Sequence, residues 1–211
     1  ELIQGGAIGK VAYAVSRASG SGPARRVGWG STDQTWFYQA GGGPLASLGA
    51  YNLTALTWIL GPVKRVGALT GISIPQRFAL GGPGKGQTFE TTAPDNNLLL
   101  LDWGDNLFGM TDIGYCAIAN KSPRAEYYGD EGVLIVNGGS GRDCIEVYEQ
   151  HEDLGYAGWV PAGSPNLGAN FDISVTITHL IDCLLDGTEP VTSGRHALHV
   201  TEIMDLADAS M

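Results

Sequence analysis

The sequence predicts an α+β fold, with a broad, mostly antiparallel open sheet and helices packed on one face. Three observations predict it. An alternating run near the start leads into one leucine-rich helix. Strand-like runs separated by short turns then fill residues 63–150, and two amphipathic segments close the chain. No internal repeat or second domain boundary interrupts the pattern, so residues 1–211 are expected to form one domain.

Each element has a local reason. In "IGKVAYAVSRAS", Val11, Tyr13 and Val15 alternate with smaller or polar residues, as in a half-buried strand. A polar, glycine-rich loop carrying Trp29, Trp36 and Tyr38 follows. A helix is predicted from about Pro44 to Leu60, with Leu45, Leu48, Leu53, Leu56 and Leu60 on its buried side. Gly61 suits the left-handed position beyond a helix end, and Pro62 cannot continue the helix. The runs "VKRVGALTGIS", "NLLLLDW", "LFGMTDIGYCAIA", "AEYYG", "VLIVN" and "CIEVYEQ" read as strands. The turns "WGDN", "GDEG" and "NGGSGRD" between them are short enough to imply antiparallel neighbours. Residues 152–169 read as a long loop. A helix over about Phe171–Leu185 follows, with Ile173, Ile177, Leu180, Ile181 and Leu184 on one side. The last helix starts near Thr192 or Ser193.

Composition narrows the function classes. The net charge of −10, with no basic run, disfavours nucleic acid and anionic membranes as partners. No segment has the length and apolarity of a membrane span, and no signal peptide is apparent. Cys116, Cys144 and Cys183 are odd in number and widely spaced, which points to a reducing cytoplasm and to no metal site. His196 and His199 lie three apart, but no carboxylate or cysteine pattern accompanies them, so they read as capping or surface groups. "GGPGKGQT" at 81–88 has the wrong spacing for a phosphate loop and reads as a flexible turn. The chain opens on "ELIQGG" without a methionine and reads as a piece of something longer.

The stretch "GGGPLASLGAY", residues 41–51, is the most informative. Gly41, Gly42 and Gly43 permit positive φ and close approach of another backbone or a ligand. Pro44 suits a first helical turn. Ser47 and Tyr51 are four apart and are expected on one helical face. A tight loop with a surface tyrosine accounts for the same spacing.

These residues resemble the glucose–fructose oxidoreductase and inositol dehydrogenase (Gfo/Idh/MocA) family. "TWFYQAGGGPLASLGAYNLTALTWILGPVKRVGAL" at 35–69 is similar to the segment after the first strand of that family's second domain. "GAIGKV", "DNNLLLLDWGDN", "AEYYGDEGVLIV" and "HLIDCLLDGTEPVTSGRHALHVTEIM" extend the resemblance along the whole chain. It implies a C-terminal domain of the glyceraldehyde-3-phosphate dehydrogenase-like type, without the N-terminal Rossmann domain that binds NAD or NADP. The family's dinucleotide fingerprint and its Glu-Lys-Pro motif do not occur in these residues. The chain alone is therefore expected to bind no cofactor and to transfer no hydride. The domain commonly supplies a sheet through which a homodimer or tetramer forms.

The family pattern is three glycines, three residues, Asp, three residues, then His or Tyr. Gly41–Gly43 and Tyr51 match it, and Ser47 stands where Asp is usual. The resemblance implies a secondary alcohol of a sugar or cyclitol as substrate, with Tyr51 as the proton-transfer residue. A tyrosine hydroxyl ionises near ~10 and needs a neighbouring cation to act as a base. Trp36, Tyr38, Gln39 and Ser47 are expected to line the substrate pocket, and Gly41–Gly43 to face the nicotinamide. Interdomain packing accounts for Trp36 equally well. The serine at 47 leaves a second possibility open, a sugar- or partner-binding module that does not turn its ligand over.

Overall fold

In the computed structural model of the chain, the described residues are 1–26, 32–138, 142–151, 155–163 and 174–210. Trp29, Phe171 and Ile173, and residues 152–154 and 164–169 of the expected loop, lie outside them. The element order is β1 (Val11–Ser19), α1 (Ala50–Leu60), β2 (Arg65–Gly71), β3 (Gln76–Phe78), β4 (Thr88–Glu90), β5 (Asn96–Gly104) and β6 (Leu107–Gly114). Then come β7 (Ala125–Gly129), β8 (Val133–Val136), β9 (Ile145–His151), β10 (Tyr156–Pro161), α2 (Ser174–Asp186) and α3 (Gly194–Asp208).

Eight strands form one sheet in the order β10-β9-β8-β7-β1-β6-β5-β2, while β3 and β4 pair separately. Every pairing in the large sheet is antiparallel except β1 with β6, where Tyr13 faces Phe108 and Ser16 faces Thr111. The β5–β6 hairpin turns through Asp105 and Asn106, with φ of 52° and 62°. Two consecutive left-handed residues make the tight turn whose twist matches the strands, and Asp and Asn tolerate that region.

Alternation decides which side of each strand is buried. Leu99, Leu101 and Trp103 of β5 are buried, while Leu98 and Leu100 are exposed. The inner face continues through Ala14, Ile113, Tyr127, Leu134 and Val147, and is covered by Leu45, Leu53 and Leu56 and by Val200 and Ile203 of α3. Three polar ties fix the helices. The Trp103 indole N–H donates to the Gly61 carbonyl at 2.8 Å. Thr57 Oγ1 and His196 Nε2 lie 2.7 Å apart. The Val63 N–H donates to His199 Nε2 at 3.0 Å, so that nitrogen carries a lone pair and the ring proton sits on Nδ1. His196 and His199 thus pin α3 to the α1 region. Among the described residues no three His, Cys, Asp or Glu side chains are grouped to hold a metal.

Three features differ from the sequence expectation. The region expected as a long loop contains β10, an edge strand paired only with β9 and ending in Pro161. An edge position tolerates proline, and the Gly-Trp-Val-Pro composition hid it. The stretch read as "LFGMTDIGYCAIA" leaves the sheet at Gly114, five residues early. Finally, α2 leaves Ile177, Leu180, Ile181 and Leu184 largely exposed. No described element covers that side, although Val191 N–H donates to His179 Nε2 at 3.1 Å.

Candidate active site

Helix α1 does not begin as an ordinary α-helix. Leu45–Gly49 form a single π turn that passes into α1 at Ala50. The extra residue in that turn accounts for the five-residue gap between Leu48 and Leu53, both of which pack inward. Such turns concentrate at functional sites because they re-aim side chains.

The glycines ahead of it each have a backbone reason. Gly41 and Gly43 adopt φ of 85° and 92°, the left-handed region that glycine enters without cost. A Cβ on Gly42 would lie 2.8 Å from the Trp36 carbonyl and 3.0 Å from that of Gln39. The chain thus folds back tightly on the turn Thr35–Tyr38 before entering the helix. Beside Gly41 there is open space.

This arrangement leaves a hollow of about 330 Å³, within the ~300–1,000 Å³ of small-molecule sites. Trp36, Gly41, Gly42, Gly43, Ser47 and Tyr51 all line it, together with Phe37. Tyr51 is 78 % exposed and Trp36 56 % exposed. The Trp36 ring stacks on Phe37 with centroids 3.8 Å apart, which orients its face.

Tyr38 and Gln39 lie elsewhere. The Tyr38 ring is completely buried, accepts the Ala24 N–H on its hydroxyl at 3.2 Å and packs beneath the Arg77 guanidinium. A ring with no exposed surface offers no face to a sugar. Burial also pushes its phenol above the ordinary value. The Gln39 amide donates to the Glu90 carbonyl at 2.8 Å and accepts from Thr92 Oγ1 at 3.0 Å, anchoring the glycine turn to β4 and the residues after it.

Ser47 lines the same hollow as Tyr51, but its hydroxyl is engaged by the helix entry and by Tyr115. Its hydroxyl donates to the Gly43 carbonyl at 2.9 Å and is in close contact with the Tyr115 hydroxyl. A serine has one hydroxyl proton. With that proton on Gly43, the Tyr115 phenol must be the donor to Ser47. Tyr115 is 2 % exposed, and burial pushes its phenol up, which keeps it protonated for this role.

Tyr115 is held in turn by a buried ion pair. Arg77 donates to the Tyr115 carbonyl at 3.0 Å and to Asp95 at 2.5 Å. Asp95 also accepts the Ser73 and Ile74 backbone N–H groups at 2.7 and 3.2 Å. The path Asp95, Arg77, Tyr115, Ser47 therefore runs from beneath the sheet edge to the start of the helix. Sequence reasoning missed all but its last member. The only signal was the charge of Arg77 and Asp95 in otherwise apolar or turn-like surroundings.

Comparison with known proteins adds to this geometry. A sequence search of curated proteins finds no match. Among solved structures, an NAD-binding oxidoreductase from Klebsiella pneumoniae superposes with a TM-score of 0.76 at 20 % identity, covering 100 % of this chain and 59 % of that one. The transcriptional regulator Gal80p from Kluyveromyces lactis gives 0.75 at 16 % identity, covering 99 % and 55 %. An oxidoreductase from Agrobacterium radiobacter, in complex with NAD+, L-tartaric acid and magnesium, gives 0.70 at 19 % identity, covering 99 % and 57 %. The chain thus spans a little more than half the length of these proteins. The family model for the GFO/IDH/MocA C-terminal domain matches residues 1–135, a stretch that contains β1, the glycine turn, the π turn, α1 and the Tyr115 anchor. With its eight-stranded sheet and that match together, the chain belongs to the GFO/IDH/MocA C-terminal domain family.

Proposed function

We propose that this chain is the substrate-binding and oligomerisation domain of an NAD(P)-dependent oxidoreductase acting on a secondary alcohol of a sugar or cyclitol. The observation that carries the reading is the exposed Tyr51 hydroxyl on the rim of the hollow at the π turn. The NAD-binding and NAD-complexed relatives of the same fold support it.

The residues present fit one end of the cofactor only. The open space beside Gly41 and the Trp36 face suit a flat ring. A strand does not run into the glycine turn; Thr35–Tyr38 do, so a strand–glycine–helix cradle for a pyrophosphate is not built here. When bound, NAD(P)+ would supply the acceptor for the hydride leaving the carbinol carbon, which becomes a carbonyl. As a phenolate, its own proton already given to the solvent to which the ring is open, Tyr51 Oη would take the hydroxyl proton; the neighbouring cation this requires is the part the family resemblance gives to the lysine of the Glu-Lys-Pro motif, which does not occur in these residues. Trp36 orients the substrate by covering one face. Ser47 and Tyr115 keep the helix start in place from beneath.

The outer face of the sheet suits a second copy. Leu69, Leu98, Leu100, Phe108 and Met110 stand exposed on adjacent strands, the composition of a homodimer interface. Cys116, Cys144 and Cys183 are all unpaired, which fits a reducing cytoplasm. No helix among the described residues is long and apolar enough to cross a membrane.

Tyr51→Phe in the intact oxidoreductase tests the reading. The ring is kept and the hydroxyl removed, so kcat should fall by about 10²–10⁴-fold with cofactor affinity unchanged. Full activity of that variant would refute the role of Tyr51. A second reading, a binding module without turnover, is favoured by the neutral Ser47 and by a regulator sharing this fold. Binding of a sugar with no NAD(P)-dependent turnover by the intact wild-type protein would support it.

A further inference from the structure

A second and larger hollow lies on the other side of Tyr51. Its volume is about 800 Å³, and Tyr51 is the one described residue that lines both. Its floor is the inner face of the sheet, where Asn52 Nδ2 donates to Thr111 Oγ1 at 2.7 Å. Its far wall comes from the segment before β7 and the end of β8, with Lys121, Arg124 and Asn137. Arg26 and Arg17 line it too, Arg17 already paired with Glu126.

The charge of this hollow runs against that of the protein. The chain has 22 acidic and 12 basic residues, yet no Asp or Glu is among the described residues that line it. The arginines that serve structure are paired: Arg17 with Glu126, Arg65 with Asp102 and Arg77 with Asp95. Lys121 and Arg124 are exposed and, like Lys10, Arg25, Lys64, Lys85 and Arg195, show no side-chain hydrogen bond or ion pair among the described residues; they differ in lining together a hollow without a carboxylate in its wall. Two cations without counter-ions among the described residues, on the wall of a hollow that reaches Tyr51, are equipped for a ligand that is itself negative.

We propose that this hollow takes the acidic end of an anionic polyol, a carboxylate or a phosphate, with Lys121 and Arg124 as its counter-ions. The amide nitrogens of Asn52 and Asn137 are held by Thr111 and by Asp143 and Glu146, which leaves their oxygens to accept from the hydroxyls along the chain, and a secondary hydroxyl reaches Tyr51. The inference rests on the substrate-domain reading above and narrows its substrate class from sugars in general to acidic or phosphorylated ones.

Titration calorimetry on the intact protein tests it, with D-gluconate, glucose 6-phosphate and neutral D-glucitol as probes. At least one anion should bind about tenfold or more tightly than D-glucitol, and its affinity should fall as salt rises from ~50 to ~300 mM. The tighter of the two anions identifies the group. Lys121→Gln/Arg124→Gln should erase the preference while D-glucitol binding stays within about twofold. Arg65→Gln, which removes a cation on the sheet's outer side, should change neither. Equal binding of all three probes, no binding of any, or an unchanged preference in the double variant would overturn the proposal. Those results leave the Tyr51→Phe turnover test untouched, so the two readings fail separately.

Discussion

Replacing Ser47 by alanine removes the only described acceptor for the Tyr115 hydroxyl, which lies in a residue just 2 % exposed. A buried hydroxyl left without a partner costs about 1–3 kcal/mol. For a chain of 211 residues, that corresponds to a fall in Tm of roughly 2–12 °C, at ~2–4 °C per kcal/mol. Tyr115→Phe has a different consequence. The ring still packs against Tyr38, with centroids 5.0 Å apart, and Ser47 keeps its bond to the Gly43 carbonyl. Its cost should be about 1 kcal/mol or less. In the double variant neither hydroxyl remains, so Ser47→Ala should add almost nothing to Tyr115→Phe. Urea unfolding of the four proteins measures this directly, with an expected coupling of about 1 kcal/mol or more. Costs that add to within ~0.3 kcal/mol would show that Tyr115 does not donate to Ser47, and the chain of support from Asp95 would be broken at its last link.

Four further variants probe other parts of the structure. Asp95→Ala strands the Arg77 guanidinium, whose side chain is 4 % exposed, and should cost about 3–5 kcal/mol. Arg65→Ala, from an arginine 81 % exposed, should cost about 1 kcal/mol or less in the same urea titrations. Burial raises the Tyr127 phenol to about 12, above the ~10 of an unfolded chain. Between those values the unfolded state has lost the proton that the folded state keeps, so stability is full below pH ~10 and falls as pH rises towards 12, by about 3 kcal/mol in total. Tyr127→Phe should flatten that alkaline decline in urea titrations. Leu100→Glu, on the outer face of the sheet, should shift sedimentation from dimer or tetramer towards monomer; a wild-type chain that is monomeric at micromolar concentration would refute the interface.

Much of the scaffold was legible because its rules are local. Alternation in "NLLLLDW" places Leu99, Leu101 and Trp103 together, and they are buried together. Ser193 caps α3 by accepting the His196 N–H at 3.3 Å, and Gly61 ends α1 with φ of 87°. The candidate site was only half legible. Glycine and proline announce a tight entry to a helix, and the five-residue step from Leu48 to Leu53 was a mark of the π turn. What that turn does to Ser47 depends on Tyr115, which is 68 residues away and which looked like one more position in a strand. The placement of Tyr38 was hidden for the same reason: its partners, Ala24, Arg77 and Tyr115, come from three separate segments. Patterns along the chain report which side of an element is buried, and they are silent about which distant group meets it there.

The position of β1 has a consequence for how the molecule is made. It lies between β6 and β7, and Val15 meets Met110 on one side and Glu126 on the other. On one flank, β2, β5 and β6 pair as a local set; on the other, β7 to β10 pair in simple succession. Among the described residues, only this first strand joins the two flanks in the sheet. During synthesis it must wait unpaired, exposing Tyr13 and Val15, until some hundred further residues have emerged. Late closure of distant contacts slows folding and prolongs the time during which an open strand edge can find the wrong partner. A ribosome pause placed just before β6 should therefore prolong the exposure of the unpaired β1 and send newly made protein to aggregates, and loss of the first residues of β1 should leave two half-sheets poorly joined, even where the finished fold is stable.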